Sequence, residues 1–457
     1  MSERIPLDEL PTSPFHRRIA FVAAGGPFCD GYLLGIMAVA LPAASAALGM
    51  TALWEGLIGA AALIGMFFGG LVFGPLTDRV GRSGMYTLNL LVFLVFSVLQ
   101  LAVDAPWQLF AIRFAMGLAL GADYPIATAL ATEFLPRRMR GPALASLVLV
   151  LWVGYTASFL IGYLLADAGP EAWRWTLASA AVPSLVFLLL RFGTPESPRW
   201  LISVGKIEQA REIVRKHLGP QADFAALVDE SADSAPRKGN ALAGIGELVR
   251  RGYGPMLVFC AVFWTCQVAP SFAVKTFQPQ LLTTLNVGNE LAASVLIQSF
   301  AVVGTAIGLF LINSVGRRSL LLGSTAVFTA ALLVLGINPW AVSTVIVVLF
   351  IVFNLAEAAG SGLQFVYPNE LFPTDLRGTG MGVATALSRL GSAAGTFVLP
   401  MTTAAWGASG ALFVAAGIGF VGLLVSWWMA PETRDLGLAA ASARDTGGRQ
   451  TRPTIGR

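Results

Sequence analysis

Long apolar runs recur along nearly the whole chain, and they restrict its fold more than any other feature. A helix that crosses a membrane needs about 20 consecutive, mostly apolar residues, and runs of that length follow one another between residues 19 and 429. Of the 457 residues, 56% are hydrophobic and 12% are charged, whereas a soluble domain carries about 25% charged residues. Because so few polar side chains cannot cover a globule of this size, the sequence predicts an all-α membrane protein solvated by lipid.

The apolar runs predict twelve transmembrane helices, numbered span 1 to span 12. Their predicted ranges are 19–48, 54–76, 83–103, 107–135, 142–166, 173–192, 254–282, 291–312, 319–337, 340–367, 379–404 and 410–429. Most of the 30 lysine and arginine residues fall in the tails and in the loops that follow even-numbered spans, so the positive-inside rule places both termini in the cytoplasm. The first residues lack the short apolar region of a signal peptide and are interpreted as a cytoplasmic tail.

A repeated loop motif divides the chain into two related halves. The segments EFLPRRMRG and ELFPTDLRG align Glu133 with Glu370 and Arg140 with Arg377, a shift of about 237 residues. Two further pairs, DRVGR with NSVGR and a Pro-Glu dipeptide after spans 6 and 12, recur at nearly the same shift. We therefore expect two pseudo-symmetric six-helix bundles, with a binding site between them near the middle of the bilayer.

The repeat and the apolar runs together predict five parts. These are a cytoplasmic tail at 1–18, a first six-helix bundle at 19–192, a central cytoplasmic loop at 193–253, a second six-helix bundle at 254–430 and a cytoplasmic tail at 431–457.

Three acidic residues lie inside predicted spans: Asp30 in span 1, Asp123 in span 4 and Glu357 in span 10. A charge at mid-bilayer costs several kcal/mol unless it is paired or hydrated, so such groups are candidates for function. Asp30 lies about 16 Å into its helix at 1.5 Å per residue, close to the midplane. We interpret all three as proton-coupling residues; the alternative is a carboxyl group that is permanently hydrogen-bonded or paired with a base.

A single arginine, Arg389, is expected near the midplane of span 11. Its planar guanidinium suits a carboxylate or a phosphate, so it is a candidate for binding an anionic solute, with a salt bridge to one of the three acids as the alternative. Lys275 in span 7 is expected to extend towards the membrane surface. The full set of predicted substrate-binding residues is Asp30, Tyr124, Trp152, Gln267, Glu357 and Arg389.

Several function classes are excluded by what the sequence lacks. The two histidines lie outside the predicted spans, and the three cysteines show no CxxC spacing, so no metal site, cofactor or catalytic residue is expected. The sequence pI of about 9.1 reflects basic residues spread over one side of a membrane, not a nucleic-acid surface. The expected partners are a small solute, protons and the lipid bilayer, and the protein is expected to be a monomer and not an enzyme.

Four motifs resemble the signature set of the major facilitator superfamily: GPLTDRVGR, RFAMGLALG, PESPRWL and PETR. PESPRWL together with the two repeated loops resembles the sugar-porter-like branch. The segments DGYLL, GADYPIAT, WTCQV and YPNELFPTDLR are similar to bacterial metabolite transport proteins. The DYP triplet at Asp123 resembles proton-coupled phosphate symporters, and SRLG at Arg389 resembles organic-anion and organic-cation carriers, in which this arginine is associated with carboxylate substrates.

The resemblance implies a secondary active transporter of a bacterial inner membrane that works by alternating access. We expect proton-coupled symport of a small, anionic organic metabolite; the alternatives are proton-coupled uptake of a sugar or phosphate, and an exporter or exchanger. Gln267 stands alone, preceded by Cys266, where sugar porters carry two glutamines, which puts a sugar in doubt. Span 5 lacks the GPxxGG signature of drug antiporters, which argues against an exporter.

Charged residues at the cytoplasmic ends of the spans are interpreted as gating residues. Opposite charges there can bridge the two halves in one state and separate in the other, which sets the population of states. Asn313 replaces Asp78 in the second copy of its motif, so the second gate is expected to be weaker. The predicted gating residues are Asp78, Arg79, Arg82, Glu133, Arg137, Arg140, Glu196, Arg199, Glu370 and Arg377.

Overall fold

A computed structural model of the protein describes residues 5–219, 221–233, 241–337, 342–373 and 375–434. In these ranges the regular structure is helical, apart from one isolated bridge between Ile5 and Ala222. Eleven of the described helices are long and apolar enough to cross a membrane, and the longest of them, Arg377–Met429, contains two spans. The prediction of an all-α protein with twelve spans is therefore confirmed.

The observed helices follow the predicted ranges closely. In the first half, spans 1 to 6 are Pro14–Leu48, Ala52–Val80, Arg82–Leu99, Pro106–Phe134, Arg137–Leu165 and the pair Ala172–Ala178 and Ala181–Leu190. In the second half, span 7 is Gly254–Thr276 continued by Gln278–Thr284, span 8 is Glu290–Ser314, span 9 is Arg317–Ile337, span 10 is Ser343–Gly360 with Leu363–Leu371, and spans 11 and 12 share Arg377–Met429. The limits of the five predicted parts stay predictions.

Among the differences between observed and predicted helix ends, two have clear local reasons. Span 1 begins at Pro14, before the apolar run, because Ser13 caps it: the Ser13 side chain accepts the His16 N–H, and His16 Nδ1 accepts the Ser13 N–H at 3.1 Å. Such reciprocal capping satisfies N–H groups that a helix start leaves without partners. Spans 11 and 12 have no loop between them, since the backbone leaves the helical conformation only at Gly407.

The same helix pairs pack in both halves. Span 1 packs on span 5, span 2 on span 4 and span 3 on span 6; correspondingly, span 7 packs on span 11, span 8 on span 10 and span 9 on span 12. Small residues let the backbones approach, as where Gly154 faces the Phe28 carbonyl and Gly391 faces Thr265. This internal symmetry supports the two-bundle architecture that the repeat predicted.

The two halves meet at one end of the molecule. We call the end that carries the N-terminal segment and the central segment the near side, and the opposite end the far side. On the far side, Gly56 of span 2 contacts the Phe397 carbonyl of span 11, and Ala60 is fully buried in the same seam. Closer to the near side, Gly70 of span 2 and Gly382 of span 11 are exposed. The halves are therefore packed together on the far side and apart on the near side.

The central segment forms a small cap on the near side. Its described residues contain four short α-helices, with one π-helical turn, Val214–Leu218, after the second: Pro198–Ser203, Ile207–Ile213, Phe224–Asp233 and Ala241–Arg250. The N-terminal segment packs on this cap, because the Ile5 N–H donates to the Gln221 carbonyl at 2.8 Å and Leu10 is buried with Val214 and Leu227. Part of the predicted N-terminal tail is thus an ordered element of the fold.

Candidate functional site

Two of the predicted proton-coupling residues are buried together in the first half. Asp30 lies in the middle of span 1 and Asp123 in span 4, at 3% and 0% exposure. The Asp123 carboxylate lies against Gly26, one helical turn before Asp30, so closely that a Cβ atom on Gly26 would collide with it. One oxygen of each carboxyl group has no hydrogen-bond partner among the described residues. The two groups are close enough to interact electrostatically.

Polar groups from spans 3 and 6 surround Asp123. Asn89 Nδ2 donates to Asp123 Oδ1 at 3.5 Å, and the Tyr86 hydroxyl donates to the Val22 carbonyl at 2.7 Å. The Arg191 guanidinium lies 4.2 Å from the centre of the Tyr86 ring and interacts electrostatically with Asp123. Asp123 therefore sits within the helix packing of the first half, and a basic neighbour, which the sequence left as an alternative, is present.

Arg389 approaches the same region from the second half. It is half-buried in span 11 and interacts electrostatically with Asp30 across the interface between the halves. The shift of about 237 residues that relates the halves aligns Arg389 with Trp152 of span 5. Spans 5 and 11 thus each direct one large side chain towards the opposite half.

A pair of amides lies at the corresponding depth of the second half. Gln364 Nε2 donates to Gln267 Oε1 at 3.1 Å, and both side chains are buried. Gln267 Nε2 and the Trp264 indole N–H have no acceptor within the described ranges. The Trp264 ring packs edge-on against Phe365, with 5.4 Å between the ring centres. This group can offer two hydrogen-bond donors and an aromatic wall to a polar solute.

The expectation that Lys275 extends to the membrane surface is wrong. Its side chain is 1% exposed, and Nζ donates to Oε2 of Glu357, itself 2% exposed, at 2.5 Å. Nζ also lies 3.8 Å from the centre of the Trp152 ring. A buried carboxylate on span 10 gives the ammonium a charged partner inside the protein. If the ammonium moved to the surface, it would leave that carboxylate buried and unpaired, which is strongly destabilising. Glu357 and Trp152, both predicted to bind substrate, thus meet at this lysine.

Three of the predicted gating residues of the first half make contacts that recur at the corresponding positions of the second half, where Arg317 and Glu432, which were not predicted to gate, take part. Arg82 pairs with Glu133 at 3.2 Å, and Arg317 pairs with Glu370 at 3.2 Å. Glu196 accepts the Ser83 N–H at 3.0 Å, and its counterpart Glu432 accepts the N–H of Arg318, the residue that corresponds to Ser83, at 3.1 Å. These contacts lie within one half each, and they confirm that the repeated motifs occupy equivalent positions.

Backbone N–H groups stabilise the ionised form of Glu432, which lies beyond the end of span 12. Burial alone would raise the pKa of this carboxyl group, but the N–H groups of Arg317, Arg434, Arg318 and Thr433 hold its pKa below the usual value. Because the pKa is lowered, the hydrogen bonds to the Glu432 carboxylate stabilise the fold at neutral pH. This stabilisation is lost as the pH falls through the lowered pKa.

The remaining gating residues are distributed over the near side. Arg140 donates to Asp8 of the N-terminal segment at 2.7 Å, and Arg199 lies 3.8 Å from the same carboxylate. Arg137 is exposed and Arg377 half-buried. The side chains of Asp78, Arg79 and Tyr124 lie outside the described part of the structure.

Alanine at Gly81 or Gly316 is expected to destabilise the protein by about 1–3 kcal/mol, the usual cost of a strained backbone position. Gly81 has a φ of 102° and Gly316 a φ of 97°, and residues other than glycine rarely adopt such backbone angles. A Cβ atom would also strike the carboxylate of Glu196 or Glu432. Thermal unfolding of the purified protein measures the effect. Gly417→Ala is the matched control, since that position is open; equal stability of all three variants would contradict the prediction.

The sequence indicated most of the buried charged residues but not the residues that contact them. Gln364, Arg191 and Tyr86 were not singled out, although a polar or charged residue in an apolar span is itself a signal of a buried contact. The sequence allowed a prediction that Lys275 pairs with Glu357, because the two residues carry opposite charges and lie in spans of the same half. The choice of partner depends on how spans 7 and 10 pack, which no local pattern reveals.

The family model described as sugar (and other) transporter matches residues 19–443. The chain belongs to this family. The metabolite transport protein YaaU of Escherichia coli (strain K12) is 40% identical over 438 residues, which covers 95% of this chain and 96% of YaaU. The inner membrane metabolite transport protein YgcS of the same organism is 38% identical over 437 residues, with 96% of each chain covered. Among solved structures, the inward-open xylose transporter XylE from E. coli matches with a TM-score of 0.81 at 21% identity, over 93% of this chain and 99% of XylE.

Family membership and the fold together define the molecule as a multi-pass membrane transporter of the major facilitator, sugar-porter-like type. The resemblance seen in the sequence motifs is confirmed. So is the prediction that the chain is not an enzyme, because the family and these relatives are transporters. The expectations of a monomer and of no nucleic-acid partner stay predictions.

Proposed function

We propose that this transporter carries out proton-coupled symport of a small, anionic organic metabolite. The observation that carries the proposal is the position of Asp30. It is a buried carboxyl group at the interface between the halves, with Asp123 beside it and Arg389 opposite. A carboxyl group in such a place can take up and release a proton, and an arginine at the same place can bind a carboxylate. XylE, which shares the fold, is named a proton:xylose symporter.

The direction of access follows from orientation. We place both termini in the cytoplasm, because the basic residues concentrate on that side. The near side then faces the cytoplasm, and the structure represents an inward-facing state, closed on the far side where spans 2 and 11 pack. The gating residues Arg82, Glu133 and Glu370, now paired within each half, would stabilise the opposite, outward-facing state when the near-side ends approach.

A neutral, hydroxylated solute such as a sugar is the second candidate. The observation in its favour is the Gln267–Gln364 pair beside Trp264. Amides bind hydroxyl groups through paired donor and acceptor atoms, and an aromatic wall suits the apolar face of a sugar ring. The family is also described as transporting sugars.

Two substitutions separate the candidates once proteoliposome uptake has been screened with radiolabelled monocarboxylates, aromatic acids, phosphate and sugars. For an anionic solute, Arg389→Ala is expected to raise KM about tenfold or more, since hydrogen bonds to charged groups contribute about 1.5–3 kcal/mol. Gln267→Ala should have a smaller effect on that KM, and Arg389→Lys should restore part of the affinity by returning the charge. If only sugars are taken up and Gln267→Ala is the more damaging variant, the second candidate replaces the first.

A further inference from the structure

A buried charge pair lies beside the seam that closes the far side, because Lys275 comes two residues before Phe277, whose ring faces Gly59 of span 2 in that seam. Lys275 and Glu357 are in contact at 2.5 Å and almost completely buried. They belong to spans 7 and 10, so both are part of the second half. Their mutual contact does not depend on how the two halves are arranged relative to one another.

The third member of the group comes from the other half. Trp152 lies on span 5 and places its ring 3.8 Å from Lys275 Nζ. It packs with Tyr155, at 5.5 Å between ring centres, in an apolar cluster that also contains Ala301 of span 8. Nearby, Thr156 Oγ1 donates to the Gln298 carbonyl of span 8 at 3.1 Å. The Lys275–Trp152 contact is therefore a cation–π interaction between the halves, excluded from water.

We propose that Trp152 and the Lys275–Glu357 pair form a latch that holds the far side closed. The contact between Lys275 and Trp152 exists only while spans 5 and 7 are in contact, so it must break each time the far side opens. Cation–π contacts are strongest when they are desolvated, as this one is. The latch thus favours the closed far side in a way that apolar packing alone does not.

The charge pair makes this latch reversible. Without Glu357, opening would leave an unpaired ammonium in a seam lined by apolar residues, which is a large penalty. With Glu357 in the same half, Lys275 keeps its charged partner when Trp152 leaves. Opening then breaks one cation–π contact and the apolar contacts around it, a loss that solute and proton binding can offset.

The latch exists on one side of the pseudo-symmetry only. The shift that relates the halves aligns Lys275 with the apolar residues at 38–40 and Glu357 with the uncharged residues at 120–122. No equivalent charge pair can therefore form between spans 1 and 4 at these positions. The latch would therefore stabilise the inward-facing state relative to the outward-facing state, an effect that the symmetry of the two bundles alone does not produce.

Cysteine accessibility tests the latch without knowledge of the solute. Ala60 is fully buried in the far-side seam, so Ala60→Cys reacts with a hydrophilic maleimide only when that seam opens. The parent chain, whose three cysteines are buried, supplies the background rate. In the Ala60→Cys protein, Trp152→Ala is expected to raise the labelling rate about tenfold or more, because a desolvated cation–π contact is lost. Trp152→Phe should give an intermediate rate.

Two further variants separate the latch from simple loosening of the packing. Lys275→Met/Glu357→Met removes the charges while nearly conserving volume, and it should also raise labelling several-fold. Trp173→Ala opens a cavity in span 6, whose main packing partners in the described part of the structure are first-half helices, and it should leave labelling unchanged. The proposal fails if the double variant labels at the rate of its parent, or if Trp173→Ala and Trp152→Ala raise the rate equally. Should Trp152→Ala not fold, Trp152→Phe and the double variant decide.

The latch goes beyond the proposed function and can be judged apart from it. Labelling reports the opening of the seam, whereas proton-coupled uptake reports the chemistry at Asp30. A transporter that proves to carry a neutral solute without protons could still show the labelling pattern expected of the latch.

Discussion

Replacing Lys275 with alanine is expected to lower the free energy of unfolding by about 3–5 kcal/mol, the usual effect of removing one partner of a buried ion pair. The ammonium is in contact with Glu357 at 2.5 Å, and the two side chains are 1% and 2% exposed. Alanine would leave the Glu357 carboxylate buried without the ammonium that pairs with it. Most of the expected loss is this orphaned charge, not the attraction that the pair contributed.

A double substitution distinguishes that explanation from lost packing. Lys275→Met/Glu357→Met removes both charges and roughly keeps the volume, so its stability should return to near that of the original protein. Lys216→Ala is the matched lysine control, because Lys216 is exposed. Thermal unfolding in one detergent, followed by the loss of the monodisperse species, compares the variants. Equal stability of Lys275→Ala and Lys216→Ala would contradict the buried-pair account.

The spans could be predicted from the sequence because the property that defines them is local. Twenty apolar residues must form a hydrogen-bonded helix in lipid wherever they occur, and the observed helices accordingly follow the predicted ranges. Where the bounds moved, a short-range feature outside hydropathy decided, such as the Ser13 cap that starts span 1. The repeat was equally informative, since Glu196 and Glu432 accept equivalent N–H groups, those of Ser83 and Arg318, in the two halves.

The candidate site could be predicted only in part. Asp30, Asp123, Glu357 and Arg389 were found because charge inside a span is costly and therefore meaningful. Their partners were not, because the distance between residues on different spans depends on helix packing. Lys275 illustrates the point: its position near the end of span 7 suggested that it reaches the surface, but its ammonium group contacts a buried carboxylate on span 10. The sequence also contains no indication of which side of the molecule is closed.

Replacing Asp30 with asparagine is expected to uncouple the transporter from the proton. Asparagine keeps the size and a hydrogen-bonding group but cannot carry a proton between the two sides. The solute affinity of the original protein should depend on pH by a factor of about 5 to 150, the usual range of coupling between two ligands. In Asp30→Asn this dependence should disappear, while exchange of labelled for unlabelled solute should continue. Asp123 interacts electrostatically with Asp30, so Asp123→Asn should weaken the pH dependence of solute affinity as well.

An exposed aspartate provides the control for this substitution. Asp167 lies on the surface after span 5, and Asp167→Asn removes the same chemical group without touching the interface between the halves. Its uptake should match that of the original protein. A loss of uptake in both variants would point to a general effect of charge or expression and not to proton coupling at Asp30.

The most direct test is uptake into proteoliposomes that hold an imposed pH gradient, compared between the original protein and Asp30→Asn. The account predicts that the original protein accumulates the solute above its external concentration, that accumulation stops when a protonophore collapses the gradient, and that Asp30→Asn only equilibrates the solute. Accumulation that continues at full rate without the gradient, or that is unchanged in Asp30→Asn, would contradict proton-coupled symport through this residue.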